Sequence, residues 1–366
     1  MSAQPSAKKH APQDELKDLG IKLVQQIKKQ ENPTLDVPVR ALSNIKYDTK
    51  ERKLLLGDST SARQFFNISH VRKFVQTLEV AKQSKLLLDI SKHASLRDVF
   101  YMCKRTIPNS DINIVDEQSE SDNAIEDLET VTGFSREELN INANKMGSVA
   151  GNVIIEDAGD EINWAKLGSG GWSIPSNVEN VKFKKVQAKY VIYMEKQAVW
   201  ERLHEDRFWD KQNCLIVTSQ GQTTRGIRRL LQRLANEYKL PVLVLADFDP
   251  WGFYIYSVLK YGSINLAHES ERMALGSARF LGITADDIEN YGLKKNFIKL
   301  TDVDISRLKQ MKNYDWFKNN KPWLRQFKLM EEFKAKAEIQ ALSARSITFI
   351  SDKYLPEKIK KGDFLD

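Results

Sequence analysis

The segment 241–252, Pro-Val-Leu-Val-Leu-Ala-Asp-Phe-Asp-Pro-Trp-Gly, limits the folds open to this chain more than any other. Its continuous apolar, β-branched run, 242–246, reads as a strand buried on both faces, the kind found inside a parallel sheet. The run stops in two carboxylates, then a Pro and a Gly. Residues i and i+2 of an extended chain point to one side, so Asp247 and Asp249 project together from the strand's end. A second such strand, 190–194, ends in Glu195. Three carboxylates at the ends of buried strands suit a hard divalent cation such as Mg²⁺, which takes oxygen ligands and is shared with substrate phosphates. Taken alone, the Asp-x-Asp-Pro-Trp-Gly run also reads as a helix-starting loop with acids at the helix N-terminus.

The surroundings favour the metal. From about Lys182 the pattern alternates: strands at 190–194, 214–218 and 242–246, helices at 196–206, 225–238 and 253–261, then a short apolar piece at 264–267. Alternating βα units imply a parallel sheet covered by helices. Ligands of such sheets bind outside the carboxyl ends of the strands, where Glu195, Asp247 and Asp249 fall.

Upstream the pattern differs. Residues 1–13 are rich in Ser, Ala, Pro, Lys and Gln and are expected to be disordered. Leu16, Leu19, Leu23, Val24 and Ile27 recur at helical spacing over 14–29, an amphipathic helix docked either on its own domain or on a partner. Segments 37–44 and 53–56 read as a small hairpin within 14–68. From Ser69 the spacing of Val71, Phe74, Val75 and Leu78 is helical. Ser95 and Asp98 form a capping box that opens a helix carrying residues 99–105, which stops before Pro108. A second box, Ser135 to Glu138, is expected to open another helix, with short apolar pieces at 149 and 153–155. Helix, turn, helix, then helix and small strands is the order of a winged helix-turn-helix module, placed at 69–155. The acidic stretch 111–129 reads as a solvated loop or helix face. The expected fold class is thus α/β and multidomain: a winged helix-turn-helix module, then a Rossmann-like parallel sheet with its extension over 156–366.

The net charge of +7 and a pI near 9.0 make an anionic partner plausible without choosing one. Cys103 and Cys214 are too few for a disulfide framework and fit a reducing compartment. No apolar run approaches the ~20 residues of a bilayer span, and the polar start has no signal-peptide core. A cytoplasmic protein with no membrane contact is expected. In the helix after Ser95, Tyr101 has Arg97 at i−4, Lys104 at i+3 and Arg105 at i+4, all on one face. A free phenol, with a pKa near ~10, is a poor nucleophile at neutral pH, and cations favour its phenolate. The same spacing also suits an ordinary packing tyrosine. Phe100 points about 100° away, toward the core. Arg225, Arg228 and Arg229 can share a face suited to a phosphate backbone, or an ordinary solvated one. The five histidines show no ligand spacing, and the glycines of 168–171 lack the Lys-Ser/Thr of a nucleotide-binding loop.

Several long segments carry a resemblance. Ser95-Leu96-Arg97-Asp98-Val99-Phe100-Tyr101, Trp172-Ser173-Ile174-Pro175, Tyr193-Met194-Glu195-Lys196 and the run from Asp247 to Tyr256 are in the expected order. Phe280-Leu281-Gly282-Ile283-Thr284, Lys336 to Leu342 and Tyr354-Leu355-Pro356-Glu357-Lys358-Ile359 follow. Together they resemble the A subunits of archaeal type IIB topoisomerases, topoisomerase VI, a family related to the meiotic double-strand-break transesterase. The resemblance implies a winged-helix domain bearing a catalytic tyrosine and a Toprim domain that binds Mg²⁺. Position by position, Tyr101 resembles the transesterifying tyrosine and Arg97 the motif's arginine, while Glu195, Asp247 and Asp249 resemble the Toprim acids. Relatives commonly carry two tyrosines in tandem and use the second; here Phe100 replaces the first. Gly221-Gln222-Thr223 departs from the family's usual Gly-Gln-Pro-like turn, just before the candidate DNA contacts Arg225 and Arg228; Lys104 and Arg105 are candidates beside Tyr101. The resemblance further implies double-stranded DNA as substrate, a homodimer, and an A2B2 complex in which the B subunit is a GHKL-type ATPase, at the nucleoid. The N-terminal helix is the candidate B-subunit contact. Two other readings stay open from the residues: a break-making nuclease that never reseals, and a non-catalytic DNA-binding module.

Overall fold

In the computed structural model, residues 11–366 are described, and they form two compact units. One comprises the residues up to 45 together with 56–144; the other comprises 46–55 and 145–366. Most of the expected disordered tail lies outside the described residues. Its end does not stay irregular, because Pro12 already starts a helix, Pro12–Lys28.

In the first unit the helices Val71–Asp89, Leu96–Cys103 and Gln118–Thr132 pack on one another. Their shared core holds Val80, Leu87, Val99, Phe100, Cys103, Ile125 and Leu128. The helix Pro12–Lys28 buries Leu16 and Leu23 against its own unit and leaves Ile21, Val24 and Ile27 exposed. Asp14 and Glu15 at its start and Lys28 at its end complement the helix dipole. Strand pairing differs from the expected hairpin: Thr34–Pro38 pairs antiparallel with Thr60–Gln64, whereas Ile45–Asp48 and Lys53–Leu56, which pair with each other, fall almost wholly in the second unit. The Asn44 side chain donates to the carbonyls of Val39, Gly57 and Ser59 and accepts from the Ser59 amide, which folds 39–44 into a turn.

Two further expectations for this unit are corrected. The acidic stretch is solvated only in part: Asp111, Asp116 and Glu117 are exposed, while Asp127 is buried. Arg72 pairs with Asp116 and Glu120, Arg40 with Glu126 and Asp127, and Arg63 with Asp127, so buried Asp127 is neutralised by cations distant in the chain. The second capping box makes its hydrogen bonds, the Ser135 amide donating to Glu138 Oε2 at 2.8 Å, yet opens only a turn. Asn140 adopts a positive φ of 59°, and strand Ile141–Asn142 follows at once, paired in parallel with Ala94–Ser95. The apolar pieces at 149 and 153–155 belong to the second unit.

That unit is built on a six-stranded sheet. Its spatial order is Trp172–Ser173, Ser148–Ala150, Leu215–Thr218, Val191–Met194, Val242–Leu245, Arg279–Gly282. The last four are parallel; Ser148–Ala150 pairs antiparallel with Leu215–Thr218, and the edge strand Trp172–Ser173 pairs antiparallel with Ser148–Ala150. Val191–Met194, Leu215–Thr218 and Val242–Leu245 are buried at every residue, as the sequence pattern required. Each such Val, Ile or Leu contributes about 1.5–3 kcal/mol of burial. Helices Gln197–Glu205, Arg225–Tyr238 and Pro250–Tyr261 follow the strands. The fourth parallel strand, Arg279–Gly282, has no counterpart in the expected strand series, and the apolar piece 264–267 forms a turn. A separate antiparallel sheet joins Lys182–Val186, Val153–Asp157 and Asp160–Asn163.

Candidate metal and nucleophile sites

Glu195 follows the central strand directly, and Met194 is in register with Leu245. Asp247 and Asp249 therefore leave the neighbouring strand at the same edge. Between them Phe248 is fully buried and its amide and carbonyl pair with Ala337, so the chain is held extended and the two acids share a side. Asp249 also caps the next helix, accepting from the Gly252 amide at 2.6 Å. Asp247 accepts from the Ile339 amide at 2.8 Å and pairs with Lys196 Nζ at 2.7 Å. Lys196 reaches Glu338 at 3.1 Å as well.

Electrostatics tie the three acids together. Burial pushes the Glu195 carboxyl up to about 7, with repulsion from Asp247 and Asp249 adding to it. Burial likewise lifts Asp249 to about 6, against the Gly252 hydrogen bond and with Asp247 repulsion adding. Asp247 is raised by burial, opposed by Lys196 and the Ile339 amide. Carboxylate repulsion within this buried cluster, felt by Glu195 and Asp249, is relieved by a cation placed among them. Their donors are all oxygen, which fits a hard divalent cation.

The loop after Leu215–Thr218 is pinned beside this edge. Tyr193 Oη lies 2.6 Å from both Ser219 Oγ and Thr223 Oγ1, and the Gly221 amide donates to the Glu195 carbonyl. Thr224 then caps the helix Arg225–Tyr238. The arginines of that helix do not form the expected exposed face. Gly226 packs against the Pro175 backbone, so the first turns are enclosed. Arg225 is buried; Arg228 is 2% exposed, and its Nε and Nη2 have no hydrogen-bond partner among the described residues. Burial, then repulsion from Arg225, pulls the Arg228 guanidinium down to about 10. Arg229 pairs with Glu179 and Arg233 with Glu237.

In the first unit, Ser95 caps the helix Leu96–Cys103 with the full reciprocal box to Asp98. Phe100 is buried and Tyr101 is 58% exposed, as the helical geometry implied. Arg97 Nη2 donates to Tyr101 Oη at 3.3 Å, with the guanidinium 5.3 Å from the tyrosine ring centroid. Gln118 Oε1 accepts from Arg97 Nη1 at 2.9 Å and steadies it. The expected four-residue face is not complete. The helix ends at Cys103, so Lys104 turns its amine over the Phe100 ring at 5.3 Å and Arg105 pairs with Glu79. Of those three cations, Arg97 alone reaches the phenol.

Sequence reasoning did not single out Lys196 or Glu338 as members of the acidic site. Lys196 sits next to Glu195, a signal that could have found it; Glu338 comes from a distant loop and offered none.

Comparison with known proteins agrees with the geometry. A family model described as the Toprim domain of Spo11 and the topoisomerase 6 A chain matches residues 190–359. Toprim domains are metal-dependent, and all three acids lie in the matched segment. A model described as type IIB DNA topoisomerase matches 72–141, which includes Tyr101 and Arg97, and an all-beta domain of the topoisomerase VI alpha subunit matches 139–187. The A subunit of type 2 DNA topoisomerase 6 from Pyrococcus abyssi is 45% identical, covering 96% of this chain and 94% of its own. That of Hyperthermus butylicus is 41% identical over 94% and 93%. The A subunit of DNA topoisomerase 6 from Arabidopsis thaliana is 34% identical over 96% and 81%. On identity of this extent, this chain belongs to the topoisomerase VI A-subunit family.

Proposed function

We infer that this chain is the DNA-cleaving subunit of a type II topoisomerase, making a transient double-strand break through a 5′-phosphotyrosyl link. The observation that carries the reading is an exposed phenol, Tyr101, held by Arg97 at 3.3 Å within the segment that resembles type IIB topoisomerases. Tyr101 Oη attacks a backbone phosphorus; a phosphorus–oxygen bond forms to the tyrosine as the bond to O3′ breaks, and the phenol's proton is given up while O3′ leaves as a hydroxyl. Arg97, hydrogen-bonded to the phenol oxygen, is placed to offset charge on the attacked phosphate. The bond energy is kept in the phosphotyrosine, so the O3′ hydroxyl can reverse the step without a ligase.

Glu195, Asp247 and Asp249 are the residues that would hold Mg²⁺. When bound, that ion supplies Lewis-acid stabilisation of the phosphate and the leaving oxygen. Asp247 is positioned for it by the Ile339 amide and Asp249 by the Gly252 amide. Lys104, exposed just past the end of the helix that carries Tyr101, remains a candidate phosphate contact. The packed helices of the first unit, with Tyr101 on the one opened by Ser95, support reading it as a winged helix-turn-helix module.

Cutting both strands needs two tyrosines, which supports a homodimer; composite sites would pair the tyrosine of one protomer with the acids of its partner. The relatives are named as A subunits, which supports a B subunit supplying the GHKL-type ATPase in an A2B2 complex that works on double-stranded DNA. No described helix is long and apolar enough to cross a membrane, and DNA processing would place the protein at the nucleoid.

The test is supercoiled plasmid with this protein, ATP, Mg²⁺ and its B subunit. Wild type should relax the plasmid and leave covalent protein–DNA adducts when denatured mid-reaction; Tyr101→Phe should do neither. Adducts persisting in Tyr101→Phe would sink the assignment of the nucleophile.

A further inference from the structure

One arginine of the second unit is held in an unusual way. Arg307, on the helix Asp302–Lys312, has its guanidinium carbon 4.6 Å from the ring centroids of both Trp251 and Tyr254. Those two rings meet edge to face at 6.4 Å and 86°. Other arginines of this unit are spent on internal carboxylates: Arg229 and Arg272 on Glu179, Arg325 on Asp286. Arg307 makes no hydrogen bond or ion pair with any described residue. Two π faces fix and partly desolvate this cation while using none of its five N–H donors.

Its place in the fold gives those donors a use. Trp251 and Tyr254 lie in the first turns of the helix capped by Asp249, so the stack is built on the segment that carries two of the three acids. Arg307 is one helical turn beyond Asp304, which binds Lys336 at 2.8 Å, and both of those charges act on Asp249. Tyr254 is also within the field of the buried Arg228. Arg307 and Arg228 thus both bring positive charge to Tyr254, on the helix that Asp249 caps. A planar guanidinium held at one position, with its donors uncommitted, matches the paired oxygens of a phosphodiester.

We propose that Arg307, held by Trp251 and Tyr254, seats a backbone phosphate of the duplex beside the acidic cluster. The proposal rests on the reading of this chain as a DNA-cleaving protein and adds to it a residue that fixes the strand relative to the acids. Arg307 is a binding residue here, distinct from the transesterification chemistry of Tyr101.

The experiment measures binding of the full-length protein to a fluorescein-labelled duplex, by anisotropy, without divalent cation, across salt from about 50 to 200 mM. One lost phosphate contact lowers the slope of log affinity against log salt by about 0.9. Arg307→Gln should show that shallower slope, so its affinity deficit shrinks about 3.5-fold across the range. Arg307→Lys, which keeps the charge, should stay near the wild-type slope and guards against a merely misfolded variant. With Mg²⁺, ATP and the B subunit present, Arg307→Gln should raise the DNA concentration needed for half-maximal covalent adduct more than it lowers the adduct yield at saturation. If wild type binds and cleaves DNA while Arg307→Gln keeps the wild-type slope, Arg307 only packs the helix and the proposal is overturned. If wild type neither binds duplex nor forms adducts, the functional reading fails first and takes the proposal with it.

Discussion

Replacing Glu195 with Gln should stabilise the cation-free protein above neutral pH while destroying its response to Mg²⁺. In the fold, burial and then repulsion from Asp247 and Asp249 hold the Glu195 carboxyl at about 7, against an ordinary 4.5. Between those values the native state keeps a proton that the unfolded chain has released. Stability is therefore fully present below pH 4.5 and is lost as pH rises through about 7. The whole loss, at ~1.4 kcal/mol per pK unit, is about 3 kcal/mol, and solvent access to the site reduces it. Gln keeps the shape without the charge. Glu195→Gln should thus exceed wild type by about 1–3 kcal/mol at pH 8 in chelator, and by less than about 0.5 kcal/mol at pH 4.5. All seven tryptophans lie between Trp164 and Trp323, in the unit that carries the acids, so urea unfolding followed by tryptophan fluorescence reports on that unit alone. Added Mg²⁺ should then stabilise wild type and leave the variant unmoved. A variant no more stable than wild type at pH 8, or a gap that is the same at both pH values, would refute the electrostatic account of this cluster.

Gly226→Ala tests the packing beside the site. Helix propensity alone favours Ala by about 1 kcal/mol, but the new Cβ would lie against the Pro175 carbonyl oxygen, far inside van der Waals contact, so a net loss of about 2 kcal/mol is expected from overpacking; a rise in urea midpoint would show that the helix start is not confined. Val24→Lys combined with Ile27→Lys places charge on side chains that are 51% and 60% exposed, and should cut B-subunit co-purification by about tenfold or more with thermal stability unchanged; undiminished assembly would remove the N-terminal helix as the contact.

The parallel sheet was legible because its signal is local. Residues 191–194, 215–218 and 242–245 are unbroken apolar runs up to Thr218, and full burial of a strand demands that composition. Helix Arg225–Tyr238 falls at the expected bounds, and the structure supplies the reason: Thr224 caps its start and Lys239, in the left-handed region, ends it. The helix after the acids begins at Pro250 rather than at 253, because Asp249 serves both as an acid of the cluster and as the cap. Elsewhere local chemistry pointed the wrong way. Ser135 and Glu138 make a genuine box, but a box supplies only about 1 kcal/mol, too little to extend a helix into a segment whose next residues pair with Ala94–Ser95.

At the candidate site, what could be read was the identity of each acid; what could not was the charge around it. Asp247 and Asp249 were placed on one side by strand alternation alone, and Phe248 in the core between them is the direct consequence. The cations that surround them obey no such periodicity. Lys196 reaches Asp247 from the end of a different strand, and Lys336 acts on Asp249 from a segment held to Phe248 by one backbone bridge at Ala337. The same holds for the arginines. Arg225 and Arg228 looked exposed because a helical wheel counts residues on one element and is blind to Pro175, which closes over the first turn. Arg307 looked ordinary because its two aromatic partners lie more than fifty residues earlier in the chain. Short-range spacing therefore marks which acids share a strand end, while tertiary contacts decide which charges face them. Tyr101 drew attention through the resemblance rather than its spacing, which suits a packing tyrosine equally well, and the electrostatic setting of neither site follows from local pattern.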